Sequence, residues 1–344
     1  GSIQAQRLQL SGGTLTGTPT FLGTLSWLGT SLNSTGVTTI GAGATLTIAS
    51  GANHDFSGHS IVNQGTVAWT DGDLRSGNGG SVSNQGVWND SAAAGAVNGA
   101  FGGGATFVNA SAGTYRKLSG NTTFTVPVTN LGLIDVAGGT LALQGGFTQT
   151  GTVAVAANAL LTATPSLSFD AGSTLRGAGG VSAGTISLGG ATYPGAVGTV
   201  GSLALTGVVV FLPGSTVEFD LGGTVPGTQH DQLSITGPAT LGGTLAVRFT
   251  GGFQSVATAG MTFELLGATA LIGSFANVPN GGILTTADGL GTFRVNYGVG
   301  SPYALNQVVL SNFVAVPEPE TWALLLLGLA AAGYRGYRRW RRRA

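Results

Sequence analysis

A short motif that recurs about every 21 residues restricts the fold of this chain more than any other feature of its sequence. In the clear copies an asparagine closely follows a valine and precedes a glycine by two positions. The asparagines are Asn63, Asn84 and Asn130, a looser copy holds Asn109 and Gly113, and successive asparagines are 21, 25 and 21 residues apart. Such a period is typical of solenoids, in which each copy forms one coil stacked on the next.

The composition favours β-strands over helices as the elements of each coil. Charged residues make up 8% of the chain and glycine occupies 62 positions, whereas helices need a charged outer face and lose about 1 kcal/mol for each interior glycine. Thr, Val, Leu and Ile are frequent and the net charge is zero, unlike in disordered chains. We therefore predict an all-β fold: a parallel β-solenoid (β-helix) of about 20–25-residue coils, followed by one C-terminal hydrophobic helix.

Large aromatic residues recur together with the motif. Trp69, Trp88 and Tyr115 each follow one copy, and Trp27 precedes Trp69 by 42 residues, or two coils, with Ile48 midway. We predict that these side chains fill the interior of the solenoid; the alternative is an exposed platform that stacks on carbohydrate. The motif asparagines are expected to stack their amides from coil to coil, and glycine and asparagine to provide corners with positive φ.

The last part of the chain has a different composition. It opens with Val316, Pro317, Glu318 and Pro319, continues with 12 mostly apolar residues at 322–333, and ends in a basic cluster. The prolines stop a strand, and Thr321 is suited to cap a helix that begins at the next residue. The residues expected in the membrane are Trp322, Leu324, Leu325, Leu326, Leu327 and Leu329, and those expected to remain in the cytoplasm are Arg335, Arg338, Arg339, Arg341, Arg342 and Arg343.

The length and charge of this tail indicate a marginal membrane anchor. Twelve helical residues cover about 18 Å, less than the roughly 30 Å of a hydrocarbon core. The tail carries a net charge of about +4 and the rest of the chain about −4, and an arginine-rich flank stays in the cytoplasm. We predict that everything before Pro317 lies on the outer side of the membrane. The alternative is a buried core helix followed by a basic tail that binds nucleic acid or lipid.

These three parts in this order resemble the PEP-CTERM sorting signal of Gram-negative bacteria that produce exopolysaccharide. The resemblance implies that an exosortase, an integral membrane protease or transpeptidase, recognises Pro317, Glu318 and Pro319 as substrate residues. It also implies an exported protein that is anchored transiently in the inner membrane and then delivered to the cell surface or extracellular matrix. Because the chain starts at Gly1 and its only methionine is Met261, we interpret it as a fragment or a matured form.

The body resembles other exported β-solenoids. Its glycine-punctuated segments after residue 135, such as 139–143 and 151–155, resemble autotransporter-type repeats of adhesin passengers, and the asparagine-glycine coils are similar to those of haemagglutinin-like proteins. We predict solenoid repeats at 1–250, strands that close the open edge at 251–313, and the sorting and anchor tail at 314–344. The closing strands are expected around 261–265 and 292–295.

The few ionisable residues indicate no active site. His54, Asp55 and His59 lack the helix that would aim two imidazoles at one metal ion, and His230-Asp231 has no accompanying nucleophile motif. We predict that the protein is not an enzyme, has no cofactor and binds no nucleic acid, since the charges of the body are scattered and net negative. A surface structural or adhesive role is the leading hypothesis, with exosortase as partner and exopolysaccharide as a further one. A polysaccharide-binding or polysaccharide-degrading β-helix is the alternative.

One possible metal site follows from counting two residues past each aromatic. This gives Asp71, Asp90 and Lys117, which stack about 4.8 Å apart if the aromatics are in register. Lys117 and Asp90 are then expected to form an ordinary surface ion pair worth about 0 to 1 kcal/mol. The competing hypothesis is a weak calcium site formed by Asp71, Asp73 and Asp90.

Overall fold

The body of the protein is built almost entirely from short β-strands. The computed structural model describes residues 1–4 and 7–316, together with Leu327, Leu329, Ala330, Ala332 and Tyr334 of the tail. In chain order the first strands are β1 (Ser2–Ile3), β2 (Arg7–Leu10), β3 (Thr20–Phe21), β4 (Thr24–Trp27), β5 (Gly36–Ile40), β6 (Thr45–Ile48), β7 (His54–Asp55), β8 (His59–Asn63), β9 (Thr66–Trp69), β10 (Leu74–Arg75), β11 (Ser81–Asn84), β12 (Val87–Asp90), β13 (Ala94–Asn98), β14 (Thr106–Asn109), β15 (Thr114–Lys117), β16 (Asn121–Phe124), β17 (Val128–Asn130) and β18 (Leu133–Val136). The series continues with β19 (Thr140–Leu143), β20 (Phe147–Gln149), β21 (Thr152–Val155), β22 (Leu160–Ala163), β23 (Ser166–Phe169), β24 (Thr174–Gly177), β25 (Gly180–Leu188), β26 (Ala191–Pro194), β27 (Ser202–Phe211), β28 (Thr216–Leu221), β29 (Gln232–Thr236), β30 (Pro238–Leu241), β31 (Thr244–Phe249), β32 (Phe263–Gly267), β33 (Ala270–Gly273), β34 (Ile283–Thr285), β35 (Gly291–Asn296) and β36 (Gln307–Ala315). One 3-10 helix spans Phe253–Ser255.

The strands form three long sheets, to which each central coil contributes one strand apiece. Sheet 1 contains 8 strands in the order β1, β3, β5, β8, β11, β14, β17, β20. Sheet 2 contains 12 strands in the order β2, β4, β6, β9, β12, β15, β18, β21, β24, β26, β28, β31. Sheet 3 contains 16 strands and includes β7, β10, β13, β16, β19, β22, β25, β27, β29 and β32. The chain makes about ten turns of about 21 residues, so the predicted parallel β-solenoid is confirmed.

The predicted aromatic residues do fill the interior. Trp27 lies beside Ile48, and Ile48 beside Trp69, in successive strands of sheet 2, as their spacing predicted. Trp88 pairs with Tyr115 in the same way. All four aromatic side chains are at most 1% exposed. The predicted alignment of Trp69 with Trp88 is wrong, however, because Trp69 lies opposite Asp90.

The motif glycines are required by close packing between coils. A Cβ atom on Gly65 would collide with the carbonyl oxygen of Ala44 in the preceding coil, and one on Gly86 would collide with that of Gly65. Neither glycine is among the residues with positive φ, which include Asn78 and many other glycines. The prediction of corners with positive φ is therefore wrong for these motif positions, although it holds at other turns.

The motif asparagines form a continuous amide ladder inside the solenoid. The Nδ2 atoms of Asn63, Asn84 and Asn109 donate to the Oδ1 atom of the next asparagine at 2.7, 2.8 and 2.7 Å. Asn130 donates to Oε1 of Gln149 at 2.6 Å, and all five side chains are fully buried. The same Nδ2 atoms also donate to backbone carbonyls one coil on, at 3.0 to 3.1 Å. The predicted stacking is confirmed, and each amide ties two coils together.

Antiparallel strands close the C-terminal end of the body. β36 pairs with β32 on one side and with β35 on the other, and β34 pairs with β35. The strands predicted around 261–265 and 292–295 are present as β32, which starts two residues later at Phe263, and β35. β32 still pairs in parallel with β29. The outer edge of β31 is covered by side chains: the Asn277 amide bonds both backbone groups of Leu245, and Asp288 accepts from the Phe249 N–H. Such coverage protects a strand edge from pairing with other chains.

Substitution of Asn84 by alanine is expected to lower the free energy of unfolding by about 2–4 kcal/mol. The change removes two hydrogen bonds donated by Asn84 and leaves the buried Asn109 Oδ1 atom without its donor. Urea titration followed by circular dichroism measures the effect. Gln85→Ala is the matched control, because it removes an exposed amide one residue further along the same turn and should change the stability by less than about 0.5 kcal/mol. Equal stability of both variants would contradict the structural role of the ladder.

Candidate functional site

The segment predicted to be recognised for sorting begins where the folded body ends. The last strand, β36, is held between two antiparallel neighbours, and the backbone N–H of Val316 donates to the Leu290 carbonyl at 3.0 Å. The side chain of Val314 is 61% exposed and that of Val316 is 42% exposed. Pro317 thus follows immediately on a residue that is hydrogen-bonded to the body.

Most of the predicted tail residues lie outside the described residues. These are Pro317, Glu318, Pro319, Trp322, Leu324, Leu325, Leu326, Arg335, Arg338, Arg339, Arg341, Arg342 and Arg343. Leu327 and Leu329 are described, are helical, and are 66% and 62% exposed. In the part of the chain that the structure describes, no helix combines the length and hydrophobicity needed to cross a bilayer.

Covalent geometry still limits how far the body lies from the apolar segment. Six peptide steps separate Val316 from Trp322, and an extended chain advances at most about 3.3–3.6 Å per residue. The end of the body is therefore within about 20 Å of the start of the apolar segment. Any enzyme that acts at the Pro-Glu-Pro motif works next to the antiparallel closure formed by β34, β35 and β36.

The three aspartates of the hypothetical calcium site do not converge. Asp90 lies opposite Trp69 and Lys117, so the predicted stacking of Asp71 on Asp90 is wrong. Asp71 is exposed and accepts from the Gly72 N–H, whereas Asp73 accepts from the Ala96 N–H. Within residues 1–4, 7–316 and the five described tail residues, no group of three or more His, Asp or Glu side chains is arranged to hold a metal ion. The calcium hypothesis thus loses the geometry on which it rested.

Asp90 and Lys117 instead form a buried ion pair inside the solenoid. The Lys117 Nζ atom lies 3.1 Å from Asp90 Oδ1 and also donates to the Ala92 carbonyl and to the Thr122 hydroxyl, so its three N–H groups have partners. The Tyr115 hydroxyl donates to the other oxygen of Asp90. The predicted pairing of Asp90 with Lys117 is confirmed. Both charged side chains are 0% exposed, however, so the predicted surface position of the pair is wrong. Removing one partner of a buried pair typically costs about 3–5 kcal/mol, far more than a surface pair contributes.

Burial also controls the protonation of this cluster. Desolvation lowers the pKa of Lys117, and the neighbouring Asp90 carboxylate opposes that shift. Desolvation, together with Asp90, raises the pKa of Tyr115 well above its ordinary value. The tyrosine therefore remains a hydrogen-bond donor at neutral pH, and the cluster is a structural polar core with no solvent-facing reactive group.

The three histidines are structural as well. His54 is fully buried, with Nε2 bonded to the Trp27 carbonyl at 3.0 Å, and His59 is fully buried between Thr38 and the Ser34 carbonyl. The ring of His230 lies between the carbonyls of Gly223 and Glu264. Desolvation lowers the pKa of all three imidazoles, which keeps them neutral near pH 7.

A group of ionisable residues that the sequence analysis did not bring together lies near the end of sheet 2. Asp220 and Arg248 are cross-strand neighbours on β28 and β31, and Arg248 forms an ion pair with Glu218 at 2.9 Å. Asp231 is 1% exposed; its two carboxylate oxygens accept the backbone N–H groups of Gly201 and Asp220, each at 2.8 Å. Asp231 thus connects the turn before β27 to β28. Gly201, Asp220 and Asp231 are separated in the sequence, and the loop between β28 and β29 brings Asp231 back beside β28.

Desolvation raises the pKa of Asp231 to about 7, with smaller contributions from the charges of Asp220 and Glu218. The pKa of Asp220 is raised for the same main reason. A carboxyl group titrating near neutrality is a feature of many catalytic acids. Here, however, both oxygens of Asp231 are occupied by backbone donors of its own chain, which is the arrangement of a structural connector.

Comparison with known families supports the reading of the tail. Residues 315–343 match the family model described as the PEP-CTERM protein-sorting motif, so the resemblance seen in the sequence is confirmed. A search of curated proteins gives no match to the chain. The class of protein is thus defined by its two parts: a parallel β-helix body followed by a PEP-CTERM sorting motif. The motif implies an exported protein that passes through the membrane during sorting and is processed by an exosortase.

The raised pKa of Asp231 predicts a specific pH dependence of stability. A carboxyl group that is more basic in the folded state binds more protons there than in the unfolded state, so its contribution to stability falls as the pH rises from about 4 to about 7. Asp231→Asn removes this titration. The difference in melting temperature, variant minus original protein, should therefore increase as the pH rises from 4 to 8.

Differential scanning fluorimetry across that range measures the difference. The three buried histidines titrate in both proteins and cancel in the comparison. Asp170→Asn, which changes an exposed carboxylate, is the control and should give a nearly constant difference. A constant difference for Asp231→Asn as well would show that the buried carboxyl does not titrate as described.

Proposed function

We propose that this protein is a structural or adhesive component of the cell surface or extracellular matrix, delivered there after an exosortase acts on its C-terminal tail. The observation that carries the proposal is the sorting motif at 315–343, which starts on the last strand of a long β-solenoid. A rigid rod joined directly to a sorting signal is suited to displaying surface outside the cell. Exopolysaccharide is the partner that we propose for that surface.

In this proposal the three parts of the tail have separate tasks. Residues 322–333 hold the protein in the inner membrane, and the arginines beyond them stay in the cytoplasm and fix the orientation. Pro317, Glu318 and Pro319 are the residues that the exosortase recognises on the outer side. The apolar run is short for a stable span, which suits an anchor that is needed only until processing.

The construction of the body supports a structural role over a catalytic one. Asp55, Asp90, Asp135 and Glu218 are engaged in ion pairs. Asp73, Asp231 and Asp288 accept backbone N–H groups. Glycan hydrolysis needs two carboxyl groups that face a bound sugar across a cleft, and carboxylates already committed to structural partners do not supply them. We therefore propose that the body has no hydrolytic activity.

Deletion of residues 317–344 should abolish sorting, because recognition motif and anchor are lost together. We expect the truncated body in the periplasm or the medium, whereas the full chain should lose its tail and reach the cell surface. Replacing Pro317 and Pro319 by alanine should leave uncleaved protein in the inner membrane. Cell fractionation with immunoblotting, in a host that has an exosortase, measures all three outcomes.

Glu318 and Glu320 provide a matched pair for the same assay. Glu318→Gln changes the centre of the recognition motif, and Glu320→Gln makes the same chemical change two residues later. Only the first should slow processing. Unchanged surface retention of the truncated body, or equal effects of the two glutamine variants, would refute the proposed sorting role.

A polysaccharide panel incubated with the purified protein between pH 5 and pH 8 should show no release of reducing ends or unsaturated products. The most critical variant is Asp231→Asn, since Asp231 has the protonation behaviour of a general acid. Turnover that is present in the original protein and lost in this variant would contradict the absence of hydrolytic activity and establish the alternative of a polysaccharide-degrading β-helix.

A further inference from the structure

Two of the described basic residues on the outer face of sheet 2 have no counter-charge: the exposed Arg7 on β2 and the partly buried Arg176 on β24. Among the described residues, Arg75, Arg116, Lys117 and Arg248 each pair with an acid, and Arg294 donates to the Gly281 carbonyl. Arg176, on β24, takes part in no ion pair and no side-chain hydrogen bond within that same part of the chain. Its side chain is only partly exposed. A guanidinium that is neither paired nor fully hydrated is available to an anionic ligand.

The surroundings of Arg176 form two adjoining depressions. The first has a volume of about 360 Å³ and is lined by Arg176 together with turn and strand residues that include Ser111, Thr114 and Thr152. The second, of about 230 Å³, is lined by Arg176, Asp135, Ala154 and neighbouring glycines. Arg176 thus lines both depressions, and these two hollows follow the long axis of the sheet.

The register of the strands explains the second hollow. Ala154 on β21 lies between Asp135 on β18 and Arg176 on β24 in one outward-facing row. The methyl group of Ala154 is the smallest side chain of this row, and it leaves a notch beside the guanidinium. The next residue of the row beyond Arg176 is Tyr193 on β26. Adjacent strands lie about 4.8 Å apart, so the cation and the aromatic ring are within reach of one ligand.

The chemistry of these groups selects a class of ligand. An arginine fork binds a planar carboxylate through two parallel hydrogen bonds, a tyrosine ring offers an apolar face with a polar edge, and serine and threonine hydroxyls exchange hydrogen bonds with other hydroxyls. A sugar that bears a carboxylate uses all three. Nucleic acid, by contrast, is bound through many phosphate contacts, and the two unpaired cations Arg7 and Arg176, on strands far apart in sheet 2 of a body with negative net charge, do not provide them.

We propose that this region, the Arg176 face (Ser111, Thr114, Thr152, Ala154, Arg176 and Tyr193), binds an acidic polysaccharide through the carboxylate of a uronic acid unit. The proposal rests on the proposed extracellular role, since such polymers lie outside the cell, and it specifies the chemistry of the partner. The hollows continue across several coils, so the polymer would lie along the axis of the solenoid.

The test is a titration of the full chain, in neutral detergent, with polygalacturonate, with its monomer galacturonate and with neutral dextran. Polygalacturonate should bind, dextran should not, and the monomer should compete only at much higher concentration. Arg176→Gln should weaken binding at least tenfold. Arg176→Lys keeps the charge but loses the fork and should weaken binding at least threefold.

Two further variants separate a specific site from general electrostatics. Arg7→Gln makes the same charge change on β2 and should alter the affinity less than twofold. Ala154→Ile fills the notch without changing any charge and should weaken binding at least threefold. Circular dichroism verifies that each variant is folded.

Three results would overturn the proposal: equal binding of dextran and polygalacturonate, equal weakening by Arg7→Gln and Arg176→Gln, or no binding of polygalacturonate at millimolar concentration of its sugar units. Binding of the monomer as tightly as the polymer would replace the polysaccharide by a small acid as ligand. None of these outcomes affects processing of the tail, which is scored separately by fractionation, so failure of this site and failure of the sorting role are distinguishable.

Discussion

The fold depends on hydrogen bonds that no coil can make within itself. In a parallel solenoid the backbone donors and acceptors of one coil are satisfied by the coils before and after it. The amide ladder from Asn63 to Gln149 extends this rule to side chains, because each of the three inner amides both accepts from one neighbour and donates to the next. A buried amide without such neighbours would leave polar atoms unsatisfied, and at the two ends of this stack the backbone N–H of Gly65 and the carbonyl of Gly151 take the place of a neighbouring amide.

The same constraint explains which features could be predicted from the sequence. The period, the sheet class and the asparagine ladder follow from repetition alone. Gln149 was missed as the fifth member of the ladder, although it also precedes a glycine, Gly151, by two residues. The register of Trp69 was missed because the aromatics were assumed to align with one another. Trp69 follows Gly65 by four residues, whereas Trp88 and Tyr115 follow Gly86 and Gly113 by two, so counting from the glycines places Trp88 opposite Tyr115 but Trp69 opposite Asp90.

The buried position of Lys117 was also accessible from the sequence. Side chains two residues apart on a strand point to the same face, and Tyr115 points inward, so Lys117 must point inward as well. The composition argued against this placement, because a charge is rarely buried without partners. The sequence also supplied Asp90 as the partner of Lys117, but not the Ala92 carbonyl after β12 or the Thr122 hydroxyl on β16, which complete the set of acceptors. The connecting role of Asp231 could not be predicted either, because its partners, the backbone N–H groups of Gly201 and Asp220, lie in other segments of the chain.

The relation between the body and the tail places a physical limit on how such a protein leaves the membrane. The sorting motif begins on the last strand, at Ala315, and the hydrogen bond from Val316 to Leu290 holds its second residue against the body. An enzyme that bound the motif at this point would therefore meet the closure formed by β34, β35 and β36 or would have to open its outermost pairing. The exposed apolar side chains of the closure, Ile283 and Val314, lie on these strands. The antiparallel closure consequently has two roles: it covers the end of the solenoid, and it carries the start of the sorting motif.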